Sequence, residues 1–226
     1  MSTVYKDNQN KYSPPSIVLR LFCEEYQNRN TVVSSNPLCF LDVGCNKGYV
    51  GKRLMAINSN AVVDGVDIDL DDLQEASKIY NEVMQVDLNN KNSFEMALGD
   101  KKYDYVLLLD ILEHLDDPKE TLILIRSILK VRSTLWVSLP NVANFSVRLP
   151  LLFGRFNYKE SGILDRTHKH LYTNHSAKQL LQECGFEVQK VQYASDRFGA
   201  IIKRLPFLGT FLGYNLVYTA VLKEEQ

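Results

Sequence analysis

The chain has 226 residues, of which 45% are hydrophobic and 23% are charged, and its formal net charge is −1. This length can bury one substantial core, so we expect a single domain spanning residues 1–226. The near-zero net charge offers no overall basic field for nucleic acid, and the four cysteines lack the spacing of a zinc site or a disulfide framework.

The start of the chain is polar and lacks the apolar core of a secretion signal, which favours a cytoplasmic location. The stretch 205–222, LPFLGTFLGYNLVYTAVL, carries no charge. It contains Pro206 and divides into a turn-rich half and a β-rich half, which favours a loop or short helix followed by a buried strand over a transmembrane span. Membrane-surface contact through RLPFLGTFLG is an alternative, as is a homodimer contact through the apolar LPFLGTFLG stretch within it.

A helix is predicted at 13–30, after which strands and helices alternate along the chain. Strands are predicted at 38–43, 61–68, 83–86, 103–111, 133–139, 187–194 and 214–223. Helices are predicted at 49–58, 70–80, 93–98, 118–130 and 174–186.

Continuously apolar strands belong to sheets that are buried on both faces, and alternation with helices implies right-handed parallel crossovers. The pattern therefore predicts an α/β fold, a doubly wound, mostly parallel, seven-stranded Rossmann-like sheet with an antiparallel last strand. Residues 140–175 are rich in aromatic, basic and turn-forming residues without a clear period. We expect this segment to be an inserted lid over the substrate.

The segment FLDVGCNKGYVG, residues 40–51, ends the first predicted strand in a glycine-rich turn. A dinucleotide fingerprint fails because Asn46 occupies the place of its second glycine, and a Walker loop fails because no Lys-Ser/Thr pair closes the turn. The carboxylate of Asp42 would repel a pyrophosphate, but it suits a positively charged cofactor such as an ammonium or a sulfonium. Gly44 and Gly48 let the backbone approach a ligand, and Asn46 tolerates a left-handed turn.

LDVGCNKGYVG resembles motif I of the class I S-adenosylmethionine-dependent methyltransferases, and three further segments follow in that family's order. They are VVDGVDIDLDDLQEA, whose Asp67 matches the carboxylate that grips the ribose hydroxyls, MQVDL at the adenine, and YDYVLLLDILEHLDDP at the fourth strand. The resemblance covers about 38–186 and implies S-adenosylmethionine as cofactor, with S-adenosylhomocysteine as product. The implied cofactor-binding residues are Asp42, Gly44, Asn46, Gly48, Asp67, Ile68, Asp87, Leu88, Asp110 and His114.

A narrower resemblance lies in SLPNVANFSVRLPLLFGRFNYKESGILDRTHKHLYT. It is similar to a bacterial methyltransferase group associated with surface polysaccharide and other small-molecule pathways, in which segments like GILDRTHLRFFT are a signature. The chain departs from the signature at His170, where arginine is common, and at Leu171-Tyr172, where paired aromatics are common. The resemblance implies a small-molecule acceptor such as a sugar, a nucleotide-sugar, or a phosphorylated or specialised metabolite.

Methyl transfer to a hydroxyl needs a base, whereas an amine needs only to arrive neutral. We expect the catalytic positions to be Asp165, Arg166, His168 and His170. His168 is the predicted base because histidine titrates near neutral pH, and Asp165 or Arg166 would orient the acceptor. The structural alternative is that Asp165 caps a turn, Arg166 pairs with an acid and His168 packs.

Two residues after the fourth strand have competing interpretations. His114 is either a second base or an anchor for its loop. Glu113 is interpreted as a residue that fixes the loop through backbone hydrogen bonds, and no metal is expected.

The composition of the lid bears on the acceptor. Its aromatic side chains could stack on a sugar or exclude water, and part of them must be core. These are Phe145, Phe153, Phe156, Tyr158 and Tyr172. Its cations suit an anionic acceptor, with an ordinary solvated loop as the alternative. These are Arg148, Arg155, Lys159, Arg166 and Lys169.

The sequence therefore predicts methyl transfer to a hydroxyl or amine of a small molecule, without a nucleic-acid partner. A nucleic-acid or protein methyltransferase and a non-catalytic cofactor-binding module are the alternatives.

Overall fold

The computed structural model describes residues 10–29 and 36–223. Helices α1 to α9 span Pro14–Arg29, Tyr49–Ile57, Leu70–Ala76, Lys91–Leu98, Pro118–Ile128, Phe145–Leu152, Asn174–Glu183, Gly199–Arg204 and Gly209–Leu212. Strands β1 to β7 span Leu38–Val43, Ala61–Asp67, Glu82–Gln85, Tyr103–Leu109, Leu129–Pro140, Phe186–Ala194 and Asn215–Leu222. The polar start at 1–9 and residue 30 of the predicted first helix lie outside the described residues.

The seven strands form one sheet in the order β3-β2-β1-β4-β5-β7-β6. The pairs among β1 to β5 are parallel, and β7 lies antiparallel between β5 and β6. The predicted doubly wound, mostly parallel sheet with an antiparallel last strand is therefore confirmed.

A ladder of aromatic rings crosses one face of the sheet at its centre. Phe40 of β1 stacks on Tyr105 of β4 at 4.7 Å, and Tyr105 stacks on Trp136 of β5 at 5.0 Å. Phe22 of α1 meets all three rings edge-on. Offset and edge-to-face pairs of this kind add about 0.5–1.5 kcal/mol each beyond burial, so the ladder fixes β1, β4 and β5 side by side.

The strand directions bring several chain segments to one edge of the sheet. β1, β2, β4 and β5 are parallel, so their carboxyl ends at Val43, Asp67, Leu109 and Pro140 share that edge. β7 begins at the same edge, since Asn215 pairs with Pro140 and with Ala194 of β6. The segments that follow these ends are the ones able to build a site.

The boundaries differ from the predicted ones where side chains contact the backbone or enter the core. The helix predicted at 70–80 ends at Ala76, because the chain turns there and buries Tyr80 in the core. The predicted irregular segment 140–175 contains α6, which begins where the Asn144 side chain accepts a hydrogen bond from the Ser146 N–H. The stretch 205–222 forms short helical turns followed by β7, as predicted. None of the helices in the described ranges has the length and apolar character needed to cross a membrane.

Replacing Gly51 by alanine should lower the free energy of unfolding by about 1–3 kcal/mol, through overpacking. A Cβ at this α2 position would lie 2.2 Å from Cε1 of Tyr80, whose hydroxyl also accepts the Gly51 N–H. Urea unfolding of Gly51→Ala beside Lys52→Ala, an exposed change on the same helix, measures the effect. Equal stability of the two variants would contradict the close packing of α2 on Tyr80.

Candidate active site

Two cavities lie at the carboxyl edge of the sheet. The smaller, of about 390 Å³, is built by the ends of β1, β2 and β4, and the larger, of about 700 Å³, by the ends of β4, β5 and β6 together with the 140–175 segment. Asp110 lines both cavities. Each volume lies within the range of roughly 300–1,000 Å³ that small-molecule sites occupy, so the edge can hold two small molecules as neighbours.

Most of the predicted cofactor-binding residues line the smaller cavity. They are Gly44, Asn46, Asp67, Ile68, Asp87, Leu88, Asp110 and His114. Asp42 lines only a narrow adjoining cavity that shares Gly44 and Asn46, and Gly48 lines neither of them.

Asp67 is buried at the end of β2, where the backbone holds its carboxylate in place. Its Oδ2 accepts the N–H of Asn46 at 2.9 Å, and its Oδ1 accepts the N–H of Asp69 at 3.0 Å. Each oxygen of a carboxylate has a second lone pair, so the side chain can still accept hydrogen bonds from a ligand. The loop after β1 and the end of β2 are thereby joined through one carboxylate.

The turn after β1 uses three residues with left-handed backbone. The φ angles are 70° at Gly44, 47° at Asn46 and 80° at Gly48. Asn46 thus adopts the left-handed backbone that it was predicted to tolerate. A Cβ at Gly44 would lie 2.2 Å from Cδ1 of Ile111, so the Ile111 side chain would have to move, and the left-handed φ would strain any L-residue there. Gly48 instead begins α2 and packs on Tyr80, so its contribution is to the turn and not to the cavity.

Asp42 is buried beside the turn and is bonded to a tyrosine. The Tyr80 hydroxyl donates to its Oδ2 at 2.6 Å. Burial raises the pKa of Asp42 to about 7, and the neighbouring Asp67 also raises it, while the bond from Tyr80 opposes the rise. A positive charge bound nearby would favour the ionised form.

Asp110 follows β4 with a left-handed φ of 56°. Its Oδ1 accepts a hydrogen bond from the Ser138 hydroxyl of β5 at 2.6 Å and one from the Asn215 side chain of β7 at 2.9 Å. Sequence reasoning missed Ser138 and Asn215, because only the strand order places them beside Asp110.

His114 and His168 lie against each other, with ring centroids 4.8 Å apart. His168 lines the larger cavity and His114 the smaller one. Nδ1 of His168 lies 3.0 Å from the carbonyl oxygen of Ile163. A carbonyl can only accept, so Nδ1 carries the hydrogen and Nε2 of the neutral ring is the proton-accepting atom.

The tautomer of His114 follows from a short chain of hydrogen bonds. The Thr167 hydroxyl donates to Asp165 Oδ1 at 2.7 Å, so its oxygen accepts from Nδ1 of His114 at 3.2 Å. Burial and then the adjacent His168 lower the pKa of His114, which favours its neutral ring. Burial raises the pKa of Asp165, but the bonds from Thr167 outweigh it and hold that pKa below its usual value.

Glu113 is the main site residue whose side-chain position sequence reasoning missed. It lines the larger cavity, is only 1% exposed, and neither carboxyl oxygen has a hydrogen-bond partner within residues 10–29 and 36–223. Burial and then Asp110 raise the pKa of Glu113 well above its usual value. Its backbone carbonyl accepts the N–H groups of Lys169 and His170, so the main chain and not the carboxyl group joins this loop to the 140–175 segment. The adjacent Glu113 and His114 were a signal in the sequence, but only the fold shows that the Glu113 carboxyl is buried without a hydrogen bond from the part of the chain that the structure describes.

Among the described residues, one cluster could hold a metal ion. Ligand atoms of Glu113, His114 and His168 all lie within 4.8 Å of one another.

The other predicted catalytic residues take separate positions. Asp165 lines the larger cavity and also holds its own turn by accepting the Thr167 N–H at 2.8 Å. Arg166 is exposed, pairs with Glu160 at 2.8 Å and lines neither cavity. His170 is also away from both cavities, with Nε2 3.4 Å from the carbonyl oxygen of Asp116. Of the four predicted catalytic residues, Asp165 and His168 line the larger cavity, and Arg166 and His170 line neither.

The lid residues divide in the same way. Phe145 lines the larger cavity, Tyr172 is core, and Phe153, Phe156 and Tyr158 are exposed. Of the five predicted lid cations, four line neither cavity, and Lys169 lines the smaller one. The charged residues that line the larger cavity are Asp110, Glu113, Asp165, Asp196 and Arg197.

Comparison with known proteins gives a family and a fold. A family model for a methyltransferase domain matches residues 8–191. The mitochondrial ubiquinone biosynthesis O-methyltransferase of Candida albicans is 25% identical over 134 residues, which are 57% of this chain and 40% of that protein. The chain therefore spans less than half the length of this curated relative.

Solved structures share the architecture at low identity. The magnesium protoporphyrin IX methyltransferase of Synechocystis PCC 6803, with bound S-adenosylhomocysteine, has a TM-score of 0.62 at 17% identity over 92% of this chain and 83% of that one. The plantazolicin methyltransferase BpumL, in complex with a monoazolic desmethylPZN analog and S-adenosylhomocysteine, has a TM-score of 0.64 at 18% identity over 96% of this chain and 87% of that one. The likeness shows that this chain has their fold.

The free energy of unfolding of Asp42→Asn should rise, relative to that of the unsubstituted protein, as the pH is raised. The folded pKa of about 7 lies above the ordinary 3.8, so the folded state holds a proton that the unfolded state has released between these values. Unfolding free energy is therefore lost with rising pH, by about 4 kcal/mol at most, and asparagine cannot ionise. Urea unfolding from about pH 4.5 to about pH 8 measures it, with exposed Asp100→Asn as control. A stability difference independent of pH would contradict the raised pKa.

Proposed function

This chain belongs to the methyltransferase domain family, and we propose that it transfers the methyl group of S-adenosylmethionine to a hydroxyl of a small molecule bound in the larger cavity. The observation that supports this proposal is a contact between the rings of two histidines, of which His168 lines the larger cavity and His114 the smaller one. A donor and an acceptor held in neighbouring cavities meet where a proton acceptor is available.

The smaller cavity fits the donor in charge and in shape. S-adenosylmethionine, when bound, supplies an activated methyl group on a cationic sulfonium. The carboxylates of Asp67, Asp87 and Asp110 line the cavity, and carboxylates suit both a cation and sugar hydroxyls. Ile68 and Leu88 add apolar surface for the adenine ring, and the left-handed backbone at Gly44 favours a residue without a side chain in the wall. We assign Asp67 to hydrogen bonds with the ribose hydroxyls. Asp42, in the narrow cavity that adjoins the smaller one, is assigned to electrostatic attraction of the positively charged donor.

His168 is the proposed general base. Its Nδ1–H is bonded to the Ile163 carbonyl, which fixes the ring and leaves Nε2 as the atom that takes the proton of the acceptor hydroxyl. His114, held neutral beside it, does not add a second positive charge when His168 becomes protonated. This arrangement favours a hydroxyl acceptor over an amine, which would need no base.

The larger cavity favours a neutral, hydroxyl-rich acceptor such as a sugar. Four of its five charged residues are acids, and carboxylates accept hydrogen bonds from hydroxyl groups. Phe145, Phe198 and Tyr214 offer aromatic surface for the faces of a sugar ring. Arg197 offers one cation that could bind a phosphate of a nucleotide-sugar. The acid-rich lining does not suit the phosphate backbone of a nucleic acid.

The function is tested in two steps. Calorimetry with S-adenosylmethionine and S-adenosylhomocysteine should show binding of both, and radiolabelled methyl transfer to a panel of sugars, nucleotide-sugars and matched amines should show product only from hydroxyl acceptors. Donor binding with no transfer to any acceptor would favour a non-catalytic module. Retention of NAD or ATP in place of the donor would overturn the proposal.

Asp67→Asn should weaken donor binding roughly 10–100-fold, because the amide loses the charge that strengthens hydrogen bonds from the ribose. The change keeps the size of the side chain and one of its oxygen acceptors. Asp71→Asn removes an exposed carboxylate from the start of the neighbouring helix and should bind the donor normally. Equal donor affinity of both variants, measured by calorimetry, would remove Asp67 from the ribose site.

His168→Ala should lower kcat about 10²–10⁴-fold on a hydroxyl acceptor and leave donor affinity nearly unchanged. The matched change is His170→Ala, which removes a histidine of the same loop that lines neither cavity. Turnover that persists at full rate in His168→Ala would contradict the base assignment. Turnover that is lost on chelation and restored by a divalent cation would replace the base by a metal held at Glu113, His114 and His168.

A further inference from the structure

Two segments with exposed apolar side chains extend from the wall of the larger cavity. The α6 segment, residues 148–156, is exposed throughout and includes Leu152 at 78% and Phe153 at 80% exposure. The α8 segment, residues 201–211, includes Phe207 at 76% exposure. The further exposed apolar residues of the two segments are Leu149, Leu151, Phe156, Ile201, Leu205 and Phe211. Large apolar side chains concentrated in this way indicate an interaction surface.

Aromatic and amide contacts join the two segments at their bases. The ring of Phe145 lies 5.6 Å from that of Phe198 and 5.9 Å from that of Phe211. The Asn144 side chain donates to the carbonyl of Gly213 at 2.8 Å. Phe145 and Phe198 also line the larger cavity, so both segments start from one wall of it.

Positive charge is concentrated in the same segments. The sequence has no aspartate or glutamate from 142 to 159 or from 197 to 223, although the chain as a whole has a net charge of −1. Arg148 and Arg155 are exposed in the α6 segment, and Lys203 and Arg204 in the α8 segment. The exposed surface thus mixes leucine and phenylalanine with cations and contains no acid.

We propose that the α6 and α8 segments dock this protein on an anionic lipid bilayer. Apolar side chains of an interfacial helix enter the boundary between headgroups and acyl chains, and its cations bind the anionic headgroups. Both helices are short, with eight residues in α6 and six in α8, so they can lie in that boundary but not span it.

Charge favours a bilayer over a second copy of the chain. A two-fold contact between copies places the same surface against itself, so cations would face cations with no acid in either segment to pair with them. An anionic lipid surface supplies the missing negative charge and the apolar interior together.

Docking in this way would bring the larger cavity to the membrane surface. An acceptor carried on a lipid could then enter from the bilayer side, and this consequence rests on the proposed function. Binding to the bilayer does not rest on it, so failed docking and failed methyl transfer are separate results.

Co-sedimentation of the full chain with vesicles tests the proposal. Vesicles of equal parts phosphatidylcholine and phosphatidylglycerol should bind the protein, and vesicles of phosphatidylcholine alone should bind it far less. Binding should fall as salt is raised, because the screening length shrinks from about 10 Å at 0.1 M to about 3 Å at 1 M. Absence of binding to the anionic vesicles at low salt would overturn the proposal.

Matched variants locate the surface. Leu152→Ser/Phe153→Ser and Phe207→Ser should each weaken vesicle binding about tenfold or more, by removing apolar area from the interface. Arg148→Gln/Arg155→Gln should weaken it roughly fivefold per side chain. Met96→Ser and Val131→Ser, at 89% and 90% exposure elsewhere on the protein, should bind normally. Equal loss in these control variants would overturn the assignment to the two segments.

Light scattering of the unsubstituted chain tests whether the same surface instead joins two copies of the chain. The proposal expects a monomer at the concentrations used for sedimentation. A dimer that the Leu152→Ser/Phe153→Ser variant dissociates would show that the surface joins two copies, and would overturn docking on lipid.

Discussion

The rest of the site depends on the hydrogen bonds that the carboxylate of Asp110 accepts. Asp110 follows β4 and accepts hydrogen bonds from Ser138 of β5 and Asn215 of β7, so one side chain ties three strands together at the edge of the sheet. The same residue lines both cavities, and its backbone is held in a left-handed conformation that non-glycine residues rarely adopt. The bonds that join the strands therefore also fix where the two cavities meet.

Acidic side chains accumulate around this junction, although the whole chain is nearly neutral. Asp42 interacts with Asp67 and Glu113 interacts with Asp110, and burial raises the pKa of Asp42 and of Glu113. Buried carboxyl groups without a cation are unfavourable in their ionised form. A cationic methyl donor is the kind of ligand that relieves this, which links the fold of the free protein to the chemistry proposed for it.

The sequence could predict what depends on local pattern, and it missed what depends on long-range contact. The mostly parallel sheet followed from strands alternating with helices, and the glycine-rich turn followed from residues that tolerate a left-handed backbone, such as Asn46. The unpartnered carboxyl of Glu113 and the bond from Asn215 to Asp110 did not, because they join residues that only the folded sheet brings together. The position of Arg166 also depends on the fold and not on the local motif. Arg166 shares a short motif with His168, but a turn of the loop directs it to Glu160 and away from the cavity.

The position of β7 has a consequence for biosynthesis. This strand is the last of the described strands yet lies between β5 and β6, so an emerging polypeptide leaves a gap in its sheet until the final described segment has been made. Asn215 belongs to that strand, and through it Asp110 acquires one of its partners only when the gap closes. A ribosome-bound intermediate therefore presents β5 and β6 with unpaired edges, and chaperone capture at that stage would protect it from pairing with other chains.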